Sequence, residues 1–211
     1  MKVGIICEGR LGGEDAQVFE HFAKRIVPQA VVRAFPQGTK PELIAKVGYV
    51  ATSLFATGYD KVLIMWDIEP RWGRPDGEQQ DTQDIQASLV NAGVAENPCV
   101  FLVAIHKELE AWLLADGSAL SAVLSRPAHP VVIAHTRNAD TVTNPKKRLE
   151  QLFERHNVPF GPQPMQGTYQ PKLAALRIAE QIPAHFGQLG KLGSFKKFGL
   201  SLTRVCQNGL V

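Results

Sequence analysis

The chain has 211 residues, of which 45% are hydrophobic and 20% charged, with a formal net charge of +3. This is the balance of a globular protein large enough to bury a core without staples, and it excludes a disordered chain or a disulfide-framework miniprotein. No apolar run approaches the roughly 20 residues needed to span a bilayer, and the N-terminus begins directly with a strand pattern, so no membrane contact is expected.

The elements read as follows. Lys2–Cys7 is a short apolar run that predicts a buried strand, followed by a Gly-rich turn from Gly9 to Gly13. Val18, Phe19, Phe22, Ala23 and Ile26 recur at helical spacing and predict a helix over 14–26. Residues 30–35 read as a second strand. Thr39 and Glu42 have the spacing of a capping box, and the periodic apolar residues behind them run to a stop at Gly58. A strand over 61–66, a polar loop over 70–80, a helix over 81–92 and a strand over 99–105 complete the first half. Such alternation predicts a mostly parallel sheet covered by helices on both faces, a three-layer α/β/α fold.

The second half is less regular. Residues 106–115 read as a helix, apolar all round from Ala111 onward and therefore buried. An edge strand is expected at 131–134, a helix opening at Asn144-Pro145, and another over 172–182 with Ala175, Ile178, Ala179 and Ile182 on one face. The organisation expected is an α/β core over 1–116 with a basic, mainly helical C-terminal elaboration over 117–211 packed on it. Charge supports the division: residues 1–116 carry 11 Lys and Arg against 16 Asp and Glu, and residues 117–211 carry 12 against 4. An acidic half suited to a metal is thus followed by a basic half suited to a polyanion. Cys7, Cys99 and Cys206 are widely spaced and suggest no disulfide, which favours a reducing, cytoplasmic setting.

Two apolar runs end in acid. The first leads into Glu8-Gly9, the second (Val62–Trp66) into Asp67-Ile68-Glu69. Open α/β sheets place ligands at the carboxyl ends of their strands. In extended backbone, positions i and i+2 share a side, so Asp67 and Glu69 can face one cavity. Three carboxylates delivered there by two strands suit Mg²⁺, with Mn²⁺ as an alternative, because hard cations take oxygen ligands. Arg71 and Arg74 lie just beyond the acidic pair, where they can touch a phosphate, with Trp72 between them as a base-stacking or lid residue. His106 and Lys107 follow the last strand and can do the same, and His106 can alternatively act as a base. Glu108 and Glu110 stand in the first turn of the next helix, about 200° apart around its axis, so one of them at most faces the cavity; Glu110 is the candidate. Lys146-Lys147-Arg148 and Lys191 with Lys196-Lys197 can neutralise phosphates. Phe195 and Phe198 can stack on bases or pin the C-terminal segment to the core.

Strand–Glu-Gly–helix followed by strand–Asp-x-acid resembles the Toprim domain of topoisomerases, bacterial primases, small RNA-maturing nucleases and nucleases of the overcoming-lysogenization-defect type. The chain is more closely similar to a bacterial group of Toprim-related proteins, on Cys7-Glu8-Gly9, Glu108-Leu109-Glu110-Ala111-Trp112 and Asp116. The resemblance implies a Toprim-like fold and a Mg²⁺ site of Glu8, Asp67 and Glu69, with Glu8 as general acid/base and Gly9 in the substrate-binding turn. It departs in carrying Glu69 where the family has Asp, and in the extra turn residues Arg10 to Gly13. The function it implies is a Mg²⁺-dependent nuclease acting on DNA or RNA, with a role in phage or mobile-element defence and a partner protein. A non-catalytic nucleic-acid- or partner-binding module and a small-nucleotide hydrolase are the alternatives.

Overall fold

Four hydrophobic runs build one all-parallel sheet: β1 (Lys2–Cys7), β2 (Val31–Pro36), β3 (Lys61–Asp67) and β4 (Val100–Ile105), in the order β2-β1-β3-β4. The computed structural model describes residues 1–71, 77–156 and 171–206, with the side chains of 171–173 excepted. Five consecutive residues of β1 and six of β3 are buried, the mark of strands covered on both faces. Helices α1 (Glu14–Ile26), α2 (Lys40–Ala56) and α3 (Gly77–Asn91) connect them. The class is α/β with a three-layer, Rossmann-like arrangement, as the alternation predicts.

Strand parity divides the core. Ile6, Val62, Ile64, Trp66 and Ala104 pack under Leu43, Val47, Ala51 and Leu54 of α2 and Ile85 and Leu89 of α3. On α1 the buried stripe is Val18, Phe19, Phe22 and Ala23, and this helix packs on β1 and β2. The predicted capping box opens α2: the Thr39 amide donates to Glu42 Oε2 at 2.7 Å. Midway along α2, Gly48 lets α3 come close, because a Cβ at this position would run into the Ser88 carbonyl. The edge strand β2 has its own cover. Val31 and Gln37 donate to the carbonyls of Met1, just before β1, and Cys7, at its end, so the amide of Ala34, an odd number of residues from each, faces the open edge. Glu20 Oε1 accepts it at 2.9 Å, and Pro36 has no amide to present.

The chain forms two compact units, Met1–Ile105 with Lys197–Val211, and His106–Lys196. The sequence placed its boundary after Asp116; the units divide after Ile105, and the chain returns to the first unit at Lys197. In the first unit the C-terminal end of α8 (Gly193–Thr203) is held by Lys61, which is 1% exposed. Its ammonium donates to the carbonyls of Ser201, Leu202 and Arg204 at 2.9, 2.6 and 2.7 Å, satisfying acceptors that every helix end leaves over. Beside it Cys99 and Cys206 form a disulfide across a sequence separation of 107. This corrects the expectation of three unpaired cysteines and weakens the argument for a reducing compartment. Only folding brings the start of β4 and the end of the chain together. Among the described residues no helix is long and apolar enough to cross a membrane.

The second unit is helical: α4 (Leu109–Ala115), α5 (Gly117–Leu124), α6 (Pro145–His156), α7 (Pro171–Gln181) and the start of α8. Helix α4 begins three residues later than expected, because Lys107 is left-handed at φ 70° and Glu108 is extended. The edge strand expected at 131–134 does not form. The amides of Val131 and Ile133 donate instead to Ser125 Oγ and Ser121 Oγ at 2.9 and 2.8 Å, so serines of α5 and its C-cap replace a sheet partner. Helix α5 and the helix over 193–203 carry no strong periodic signal and were not expected.

Candidate functional site

The turn after β1 is tied to the turn after β2. Gly9 and Gly38 exchange amide–carbonyl bonds, both 2.7 Å, and Gly9 sits at φ +107°, a conformation that side-chain-bearing residues rarely adopt. This bridge fixes the direction in which Glu8 leaves the strand. Its Oε1 accepts the amide of Asp67 at 3.1 Å. The side chain that follows β1 thus reaches the backbone at the end of the neighbouring strand β3, on the carboxyl edge of the sheet.

Glu8 is partly buried, and desolvation pushes its carboxyl from 4.5 up to about 7. The charge of Lys40 and the Asp67 amide oppose that rise; the charges of Asp15 and Asp81 reinforce it. Asp15, in the first turn of α1, is thus the acid of the Glu14-Asp15 pair whose field reaches Glu8, and its Oδ2 would stand 3.6 Å from a Cβ on Gly9. Cys7 is fully buried, and its thiol is held well above its usual range by burial and then by Asp15, Asp67, Glu8 and Glu20. It stays a neutral packing residue.

Two charged residues that sequence reasoning missed organise this edge. Lys40, at the start of α2, and Asp81, on α3, form an ion pair of 3.1 Å with 1% and 0% exposure. The Lys40 ammonium also donates to the carbonyls of Ile68 and Pro70 at 3.0 and 3.2 Å. It thereby holds the segment that follows Asp67 and contains the cis Glu69-Pro70 bond. Neither residue belongs to a motif, and the only signal was a Lys and an Asp at otherwise periodic helix positions.

Glu69 does not stand open beside Asp67: its Oε1 accepts from Arg71 Nε at 3.2 Å. Among the described residues no group of three or more His, Cys, Asp or Glu side chains is arranged to hold a metal ion. The donor chemistry of Glu8 and Asp67 nonetheless fits a hard cation. Mg²⁺ is commonly held by one or two carboxylates, with waters and substrate phosphates completing its shell, and a carboxylate disfavoured by desolvation gains from a nearby positive charge. Arg74 and Trp72 lie outside the described residues.

The remaining candidates belong to the second unit, except Lys197 and Phe198, which belong to the first. His106 is exposed, and Lys107 and Glu110 are half-buried. Glu108 Oε2 accepts the amide of Lys146 at 3.4 Å, at the start of α6, a helix-terminus role suited to a carboxylate. Asp116 is the N-cap of α5, accepting from the amides of Ser118 and Ala119. Trp112 is buried and donates to Ser194 Oγ at 2.8 Å, with its ring edge-to-face against Phe195. Phe195 and Phe198 are 4% and 0% exposed, so they pack and do not offer stacking faces. Lys146, Lys147, Arg148, Lys191, Lys196 and Lys197 are all exposed.

Comparison with protein-family models, with curated proteins and with solved structures finds no match to this chain.

Proposed function

We propose that the carboxyl edge of β1 and β3 is the active site of a Mg²⁺-dependent phosphoryl-transfer enzyme, a nuclease acting on DNA or RNA. The observation that carries this reading is the hydrogen bond from the Asp67 amide to the Glu8 carboxylate, because it brings the acid that follows β1 to the end of the neighbouring strand β3, at the edge where α/β sheets bind ligands. Glu8 and Asp67 would hold the ion, with Glu69 available once Arg71 turns to a phosphate. When bound, Mg²⁺ polarises the phosphoryl group and lowers the pKa of a bound water.

The chain's own residues do the rest. Glu8, with its carboxyl pushed up to about 7, can take or give a proton near neutral pH. Lys40 fixes the backbone of Ile68 and Pro70 and so positions Asp67 and Glu69. Arg71 stands beside Glu69 as an exposed cation that can turn to a substrate phosphate. A second reading, a non-catalytic nucleic-acid- or partner-binding module, is favoured by the spacing of the acids, which do not form a three-donor group among the described residues.

The test incubates the full chain with single- and double-stranded DNA and RNA in Mg²⁺, Mn²⁺ or EDTA, beside Glu8→Ala/Asp67→Ala. Metal-dependent cleavage lost in the variant supports the nuclease. Salt-sensitive binding that survives in the variant, with no cleavage, replaces it with the binding module. Turnover of mononucleotides alone reassigns the site to a small-nucleotide hydrolase.

A further inference from the structure

In the second unit a pocket of about 360 Å³ is lined by Thr136, Arg137, Asn138, Gln188, Lys191 and Leu192. Two segments form it, and a chain of polar contacts that ends on a buried tryptophan fixes both. From the short 3-10 turn at Ala139–Thr141, Asp140 Oδ2 accepts the amide of Gly193 at 3.0 Å and its Oδ1 accepts from Ser194 Oγ at 3.1 Å. Ser194 Oγ in turn accepts from the buried Trp112 indole. Ala139 and Leu189, both fully buried, turn the apolar side of each segment inward. Asn138, left-handed at φ 52°, turns the chain at the rim, where its carbonyl accepts from both the amide and the hydroxyl of Thr141.

The lining has an uncommon composition. Five of its six residues carry hydrogen-bond donors, two of them permanent cations, and no carboxylate is among them. The side chains of Thr136, Arg137, Asn138, Gln188 and Lys191 make no hydrogen bond or ion pair with any described residue. The nearby acid, Asp140, has both oxygens engaged with Gly193 and Ser194. Two cations and three neutral donors around a preformed cavity select an anion, and guanidinium and ammonium groups match phosphate oxygens. The volume lies within the range of roughly 300–1,000 Å³ of small-molecule sites, which leaves room for a group attached to the anion. Leu192 and the aliphatic parts of the other side chains give the lining apolar surface between its donors, which suits a group with both polar and apolar faces, such as a sugar.

We propose that this pocket binds the sugar-phosphate part of a nucleotide, with the phosphate held by Arg137 and Lys191. The source is either a free nucleotide or one residue of a polynucleotide backbone. The site does not depend on the chemistry at Glu8 and stands or falls separately from it.

The test measures binding of inorganic phosphate, uridine monophosphate and a labelled short oligothymidylate to the full chain in EDTA, by calorimetry and fluorescence anisotropy. Arg137→Ala/Lys191→Ala is compared with Lys46→Ala/Arg155→Ala, which removes the same charge from exposed positions of α2 and α6. The pocket variant is expected to weaken binding at least about tenfold, and for the oligonucleotide to lower the slope of log K against log salt by about 1–2. The Lys46→Ala/Arg155→Ala variant should leave binding within about twofold. Nucleotide that binds without being displaced by oligonucleotide identifies the free nucleotide as ligand; displacement identifies the backbone. No binding of any probe, or equal weakening by both variants, overturns the proposal. Unchanged thermal melts check that both variants are folded.

Discussion

Lys40 and Asp81 lie 3.1 Å apart, 41 residues apart in sequence, with neither side chain reaching solvent. The pair joins the start of α2 to α3 directly behind the acidic edge. Removing one member of a buried pair leaves an uncompensated charge and costs about 3–5 kcal/mol. Lys40→Met should therefore lower stability by that amount in a denaturant melt. Lys40→Met/Asp81→Leu should regain most of the stability, since apolar replacement of both partners is often neutral. It should not restore the proposed nuclease activity, because the carbonyls of Ile68 and Pro70 still lack their donor.

Glu8 makes stability fall as pH rises. Its carboxyl titrates near 7 when folded and near 4.5 when unfolded, so between these values the folded state holds a proton that the unfolded state has lost. The penalty is absent below about 4.5, grows through the window and is complete above 7, amounting to roughly 3 kcal/mol. Glu8→Gln should stabilise the protein by that order at pH 8, hardly at all at pH 4.5, and flatten the profile between. Chemical denaturation across the window checks this; an unchanged slope would falsify the assignment.

The same carboxyl predicts a metal effect. Mg²⁺ should raise the Tm of the full chain, and more at pH 8 than at pH 5, because at the lower pH the ion must displace a proton. The rise should vanish in Glu8→Ala/Asp67→Ala. A pH-independent rise that persists in the variant points to a different site.

Cys99 and Cys206 close a long loop, and their removal should cost about 2–4 kcal/mol. Cys206→Ser and dithiol reduction of the wild type should lower the melting point alike, and reductant should add nothing to the variant. Lys61→Met should also destabilise, since it strands three helix-end carbonyls.

Gly48→Ala places a methyl against the Ser88 carbonyl and must push α2 from α3. The expected loss is about 1–3 kcal/mol, with the fold retained by circular dichroism.

What the sequence displayed was whatever depends on local pattern. The buried runs of β1 and β3, the amphipathic stripe of α1, the Thr39–Glu42 box and the acids at two strand ends are all periodic or adjacent in the chain, and each stands where expected. What it concealed depends on distant residues meeting. Lys40 and Asp81 read as ordinary surface charges until α2 and α3 pack. Cys99 and Cys206 read as unrelated until the last turn of α8 returns to the sheet. The stretch 131–134 is apolar enough for a strand, but two serine hydroxyls reach its amides. Phe195 and Phe198, readable either as stacking platforms or as anchors, are buried.

Glu20 and Pro36 together leave β2 with little to offer another strand. One outward amide is already occupied and one position has none. An extended peptide, or the same strand of a second molecule, would find a broken ladder at this edge. The sheet is thus guarded against growth on that side, and association through β2 should neither nucleate aggregates nor recruit a partner by strand addition.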